Sequence, residues 1–277
     1  MTASNHISKF LFVLLLMVSS STNAWEITRN FNQGVNGLTV NKQDDGFDDA
    51  ATQSYYSTDK FFEGGMAAEL NIAEGDQGWS RWGGVINFPS RIYDKGYLWF
   101  QMYIYIPADF QLVTNQGSLK TIRFASNNSD GSGNGFFDIQ MADQGKDKAF
   151  RLIREYDNEN GWAYFGDPAK FERDRWHRIT VFQRTDYKTV DEGGVGVTKI
   201  WLNGQLITEN TTNKVLVNDG SYYTALYLFT YWNGDSPTTH KLWVDDIRIS
   251  SESQPDWAYD IINQLAAPAA PSLEVDR

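Results

Sequence analysis

The chain has 277 residues, with 24 Lys and Arg against 35 Asp and Glu, no cysteine and 15% aromatic residues. A mass of 31.5 kDa is enough to bury a sizeable core, and the lack of cysteine excludes a disulfide framework, a thiolate metal site and a cysteine nucleophile. A net charge of -11 argues against nucleic acid as a partner, because phosphate binding needs surplus cations, and a mean hydropathy of -0.47 excludes a polytopic membrane protein.

The first element in chain order reads as a secretory leader. Lys9 supplies a positive start, Phe10 to Val18 form an apolar run, and Thr22 and Ala24 fit the small-residue rule for cleavage. The run is too short to span a bilayer. Cleavage after Ala24 would leave 23 basic against 35 acidic side chains, a charge of -12. No cysteine follows the cleavage point, so lipid anchoring there is excluded. The expectation is a secreted or periplasmic monomer with no membrane contact once the leader is gone.

From Trp25 onward the apolar period is two. Tyr97 to Ile106, Phe136 to Met141, His177 to Gln183, Lys199 to Leu202, Ala225 to Trp232 and Leu242 to Ile249 alternate in the manner of half-buried strands. Turn clusters separate them at Asn127 to Gly135, Asp191 to Gly196 and Asn233 to Asp235. Asn203-Gly204, between KIWL and QLI, is the strongest hairpin signal, since a type I′ turn needs positive φ twice. Many short strands with regular turns predict an all-β two-sheet sandwich or jelly roll. The expected division is a leader over 1–24, one domain over 25–252, and a short helix plus tail over 253–277. In the last part Trp257, Ile261 and Leu265 keep helical spacing between Asp256 and Ala267.

Ten Trp and fourteen Tyr exceed what a core needs. Trp99, Trp176, Trp201 and Trp243 lie in or beside strands and read as core. Trp79, Trp82, Trp162 and Trp232 sit at loops or strand ends, where an indole face could stack on a sugar or merely cover a sheet edge. Alternation puts Phe136, Asp138 and Gln140 on one face of their strand and the core set Phe137, Ile139 and Met141 on the other. Arg81, Lys120, Arg123, Arg151 and Arg154 cluster around these strands. A groove holding several Arg would suit a uronic acid sugar, although each Arg could equally pair with an acid on a solvated face. His177 reads as a paired structural histidine, and His240 has no obvious partner. The Gly-x-Ser-x-Gly context of many serine hydrolases is absent. So is the Glu-x-Asp-x-x-Glu run of jelly-roll glucanases; Glu69 and Glu155 do not supply it.

The segments RNFNQG, YYSTDKFFEGGMAAEL, LWFQMYIYIPADF, KIWLNGQLI and LWVDDIRIS, in that order, resemble the concanavalin A-like jelly rolls. Within them the likeness is to the glucuronan-lyase-like polysaccharide lyases and their relatives. The resemblance covers most of 25–250. It implies a structural calcium held by Asp245 or Asp246, with Asn32 and oxygens of the Tyr56 to Asp59 loop. Relatives often carry Glu at the place of Asn32. It also implies a groove across the concave sheet. Phe136, Asp138 and Gln140 stand where the lyases carry His, Arg and Gln, so only Gln140 matches, and Tyr231 falls where a Tyr is found.

Three readings follow. In a lyase, Tyr231 moves the protons, and Gln140 with Arg123 or Arg154 holds the uronate carboxylate. Tyr156 helps rebuild the site, while Arg81, Trp82, Lys120, Asp138, Arg151, Trp162 and Trp232 bind the chain. A carbohydrate-binding protein would use the same groove without proton transfer. A glycoside hydrolase would need two facing carboxylates.

Overall fold

Alternating apolar side chains can leave water only if a second surface covers them, and the strands meet that demand by forming two stacked sheets. The computed structural model describes residues 24–41, 45–50, 52–78, 81–111, 119–141, 150–156, 159–164 and 172–261. Residues 141, 150–156 and 159–164 are described through their backbone alone. Residues 1–23 of the expected leader, Trp79 and everything after 261 lie outside the described residues.

The strands are β1 (Glu26–Arg29), β2 (Asp49–Ala50), β3 (Ser54–Ser57), β4 (Ala67–Ile72), β5 (Gly84–Ile92), β6 (Tyr97–Tyr105), β7 (Leu119–Asn127) and β8 (Gly133–Met141). They continue as β9 (Phe150–Tyr156), β10 (Glu159–Tyr164), β11 (Trp176–Arg184), β12 (Val197–Leu202), β13 (Gln205–Asn210), β14 (Tyr222–Trp232) and β15 (His240–Ser250). One antiparallel sheet has the order β13-β12-β11-β6-β15-β4-β3, with β1 also paired to β15. The other runs β10-β9-β8-β7-β14-β5-β2. Leu98, Phe100, Met102 and Ile104 of β6 and Ile179 and Val181 of β11 face Ile122, Phe124, Phe137, Ile139, Leu226 and Leu228 of the other sheet in one core. This is the expected all-β sandwich, and each expected strand is present within a few residues.

Several strands escape a search for strict alternation, β5 and β7 among them. β5 contains Pro89, which a central strand does not tolerate; its tip pairs only with β14. Along β7 the core residues Leu119, Ile122 and Phe124 are spaced by three and then two, because the register slips between Lys120 and Ile122. The hairpin signal is realised: Asn203 and Gly204 have φ of 52° and 86°.

The outer face of the β6 sheet is also covered. Trp99 and Trp201 stack at 6.0 Å between ring centres. The single-turn helix Asp256–Ala258 lays Ala258 and Ile261 against them. The turn continues as helix through Ile261, and residues 262–267 of the expected C-terminal helix lie outside the described residues.

β15 changes partners along its length. His240–Val244 pair with β4 and Ile247–Ser250 with β1, and Asp246 takes a φ of 41° at the kink between them. Asp245, fully buried there, anchors the incoming loop. Its Oδ2 accepts the N–H of Phe62 at 2.8 Å and of Glu63 at 3.3 Å, and its Oδ1 accepts that of Asp246 at 2.7 Å. Phe62 thereby stacks on Tyr103 at 3.6 Å. Burial pushes the Asp245 carboxyl up from 3.8 to about 6 against the pull of those N–H donors. Since the folded value exceeds the unfolded one, this residue's contribution to stability is complete below about pH 4 and lost as pH rises through 6. Measured against Asp245→Asn by urea denaturation, the wild type should lose roughly 2 to 3 kcal/mol between pH 4 and 7. A difference that stays flat over that range would refute the assignment.

Candidate functional site

The face of the β7 sheet turned away from the core carries polar side chains, and strand register sorts them into rows. β8 lies on one side of β7 and β14 on the other. The first row is Gln140, Lys120 and Tyr231. The second is Asp138, Arg123 and Tyr227, continued by Val85 of β5. The third is Phe136, Ala125 and Ala225. Paired residues in an antiparallel sheet share a face, and alternate positions along a strand are about 7 Å apart. The rows therefore form a short ladder of distinct chemistry.

In the first row the Lys120 ammonium lies over the Tyr231 ring, 5.1 Å from its centre. Tyr231 stays partly exposed while Lys120 is largely covered. The other side of the ring meets the loop before Trp79. A Cβ on Gly78 would fall 2.7 Å from Tyr231 Cδ2, so only glycine allows the approach. That loop is held by Trp232 N–H donating to the Gln77 carbonyl at 2.7 Å, and by Ser236 N–H donating to that of Asp76 at 2.9 Å. Arg81 pairs with the Asp76 carboxylate while keeping most of its side chain in solvent.

The second row is built around a buried ion pair. Asp138 has no solvent exposure, and its Oδ1 accepts from Arg123 Nε at 2.9 Å. Its Oδ2 accepts from Gln140 Nε2 at 3.2 Å. The Arg123 guanidinium also reaches Thr230 Oγ1 at 3.5 Å and lies 3.7 Å from the centre of the Phe136 ring. The Gln140 amide is thus directed at Asp138 beneath the groove surface. Phe136 of the third row and Tyr227 of the second meet edge to face at 5.2 Å over Val85, Ala125 and Ala225.

The structure therefore gathers Lys120, Arg123, Asp138, Gln140 and Tyr231, with Arg81 at the rim. It adds Tyr227, Thr230 and Gly78, which sequence reasoning passed over; continuing the alternation back from Tyr231 would have flagged Tyr227. Two expected sugar platforms are instead core residues. Trp232 shares the parity of Leu226 and Leu228 and stacks inside on His240 at 5.9 Å, and Trp82 is likewise fully buried. Arg151, Arg154, Tyr156 and Trp162 are described by backbone alone. Register sets Arg151 across from Gln140 in the first row, but Arg154 across from the core residue Phe137 and Tyr156 across from Gly135. Arg151 and Arg154, three apart, fall on opposite faces of β9. Trp162 pairs with Ile153 on β10.

Neither described histidine reaches the groove. His177 is the structural histidine expected, with Nε2 donating to the Glu172 carbonyl at 2.7 Å and Nδ1 accepting from Asn203 Nδ2 at 2.9 Å. His240 is packed between Phe110 and Trp232. Burial lowers both pKa values. The implied calcium ligands do not fit a cation. Asp245 spends both oxygens on N–H donors, Asp246 pairs with Arg248 at 3.0 Å, and Asn32 Oδ1 accepts from Met66 N–H at 3.1 Å. Calcium needs six or more converging oxygens, and no cluster of three acidic or histidine ligands occurs among the described residues. Hydrogen bonds do the tying that the resemblance assigns to a metal.

Two substitutions check this geometry. Asp138→Ala should cost about 3–5 kcal/mol by denaturant unfolding, because it strands the Arg123 charge; replacing both partners by apolar residues should recover most of it. Gly78→Ala should cost about 1–3 kcal/mol by forcing the Tyr231 ring aside; full stability with an unmoved ring would contradict the contact.

No protein-family model and no curated protein matches the chain. Among solved structures, an alginate lyase superposes with a TM-score of 0.59 at 13% identity, over 83% of this chain and 98% of that one. A variant of that alginate lyase, with a lysine and a tyrosine replaced by alanine and in complex with an alginate tetrasaccharide, gives 0.56 at 13% identity, over 81% and 96%. An endo-β-1,4-glucuronan lyase from the fungus Trichoderma reesei gives 0.52 at 13% identity, over 82% and 95%. The shared architecture is the concanavalin A-like jelly roll.

Proposed function

We propose that the protein is a secreted polysaccharide lyase that cleaves a uronate-containing glycan by β-elimination in this groove. The observation that carries the reading is the pairing of Lys120 with Tyr231 in one row, at 5.1 Å from ammonium to ring centre. The reaction removes the proton at C5 of the uronate, expels the C4 oxygen and leaves a C4=C5 double bond. It needs a cation beside the carboxylate, where negative charge builds up, and a group that takes one proton and returns one. Lys120 supplies the charge. The Tyr231 phenolic oxygen accepts the C5 proton and delivers a proton to the departing C4 oxygen, so that it ends the reaction as it began. With both described histidines buried elsewhere, tyrosine is left to do this work. Arg123 has a different part from the one expected of it: tied to Asp138, it supports the groove floor.

Hydrolysis is the weaker alternative, because among the described groove side chains the single carboxylate, Asp138, is buried and ion-paired. One observation favours glycan binding without cleavage: the same pair leaves the second row without a surplus positive charge. The fold likeness to lyases supports a carbohydrate ligand under either reading, and the leader supports export.

The test is a panel of glucuronan, alginate, pectate and neutral β-glucans, followed by ultraviolet absorbance of unsaturated uronate and by reducing ends. A rise in both is expected, with Tyr231→Phe lowering kcat by about 100-fold or more while binding persists. Reducing ends without absorbance would overturn the lyase mechanism. Silence in both with retained binding would leave a carbohydrate-binding protein.

A further inference from the structure

We infer that the groove reads a mixed glycan, taking a uronate at the Lys120–Tyr231 row and an uncharged sugar at the Phe136–Tyr227 corner, where the third row meets the second. The first position rests on the lyase reading; the second stands on separate observations. The third row, together with Tyr227 and Val85 of the second, is an apolar floor of Val85, Ala125 and Ala225 carrying two partly exposed rings set at 73° to each other. This cluster lies on the opposite side of the sheet from the main core, so its rings are not needed to seal the sandwich. An edge-to-face corner of this kind presents one ring face and one ring edge to a ligand. That suits the C–H face of a pyranose.

Charge decides which pyranose. Among the described side chains the cation nearest to Phe136 is Arg123, 3.7 Å from the ring centre, and its charge is answered by the fully buried Asp138 at 2.9 Å. A carboxylate laid over the third row would lose water without gaining an unshared counter-charge, which costs several kcal/mol. A neutral sugar loses little and gains the stacking. The first and third rows are four residues apart along β8, about 14 Å, within the span of a short oligosaccharide. The groove is therefore graded from cationic to neutral along the strands, and a homopolymer of uronates would match only one end of it.

The experiment uses the Tyr231→Phe variant of the mature chain, so that binding is read apart from cleavage, with calorimetric titration of two sets of oligosaccharides. One set comes from deacylated gellan, in which glucuronate is flanked by neutral sugars, and the other from glucuronan, in which every unit is charged. The gellan set is expected to bind about tenfold more tightly. Adding Tyr227→Ala, at a partly exposed position and checked for folding by circular dichroism, should abolish the preference while leaving glucuronan affinity within about twofold. Equal affinities, a preference for glucuronan, or equal losses for both glycans on ring removal would overturn the inference. Ultraviolet product from wild type acting on glucuronan, without a gellan preference, would keep the lyase reading and discard this one. A ring-dependent gellan preference with no ultraviolet product from either glycan would do the reverse.

Discussion

A carboxylate without solvent exposure has to be compensated where it stands, and for Asp138 the compensation is Arg123. The Coulomb attraction of such a pair is large in a low dielectric, but so is the cost of removing both charges from water. Pairing alone would not settle the account. Gln140 donates to the second carboxylate oxygen, and the guanidinium is shared with Thr230 and the face of Phe136. Three strands, β7, β8 and β14, are thereby locked in register on the side of the sheet that faces away from the core.

A second compensated acid organises the other sheet. β15 must kink to leave β4 and join β1, and Asp246 accepts a left-handed φ at that point. The buried Asp245 carboxylate gathers the N–H groups that the kink and the incoming loop expose. Backbone donors thus engage both of its oxygens at this point. Both sites follow one rule: buried charge is tolerated where several donors converge on it.

The formal charge of -11 does not prevent a polyanion from binding, because interactions at contact range outweigh a screened net charge. What matters is local balance. Lys120 lies beside a partly exposed tyrosine, Arg123 is cancelled by Asp138, and the third row has no charge on its described side chains. The chemistry available to the groove is set by these differences over a few residues of three strands.

The period-two patterns, the Asn203-Gly204 turn and the aromatic strands made the all-β sandwich legible, since backbone pleating forces alternate side chains to opposite faces whatever the partner strand. The split of Phe136, Asp138 and Gln140 from Phe137 and Ile139 was readable for the same reason, as was the structural role of His177. Continued a few positions further, the same alternation places Trp232 inside. The sequence alone could not show which strands would be neighbours. Lys120 meets Tyr231, and Arg123 meets Thr230, only because β14 inserts beside β7 from far along the chain. The bulges that slip the register at Lys120 and Tyr231 carry no clear local signature. Contact across strands depends on register, register depends on packing two sheets over one core, and that is decided by the whole chain at once.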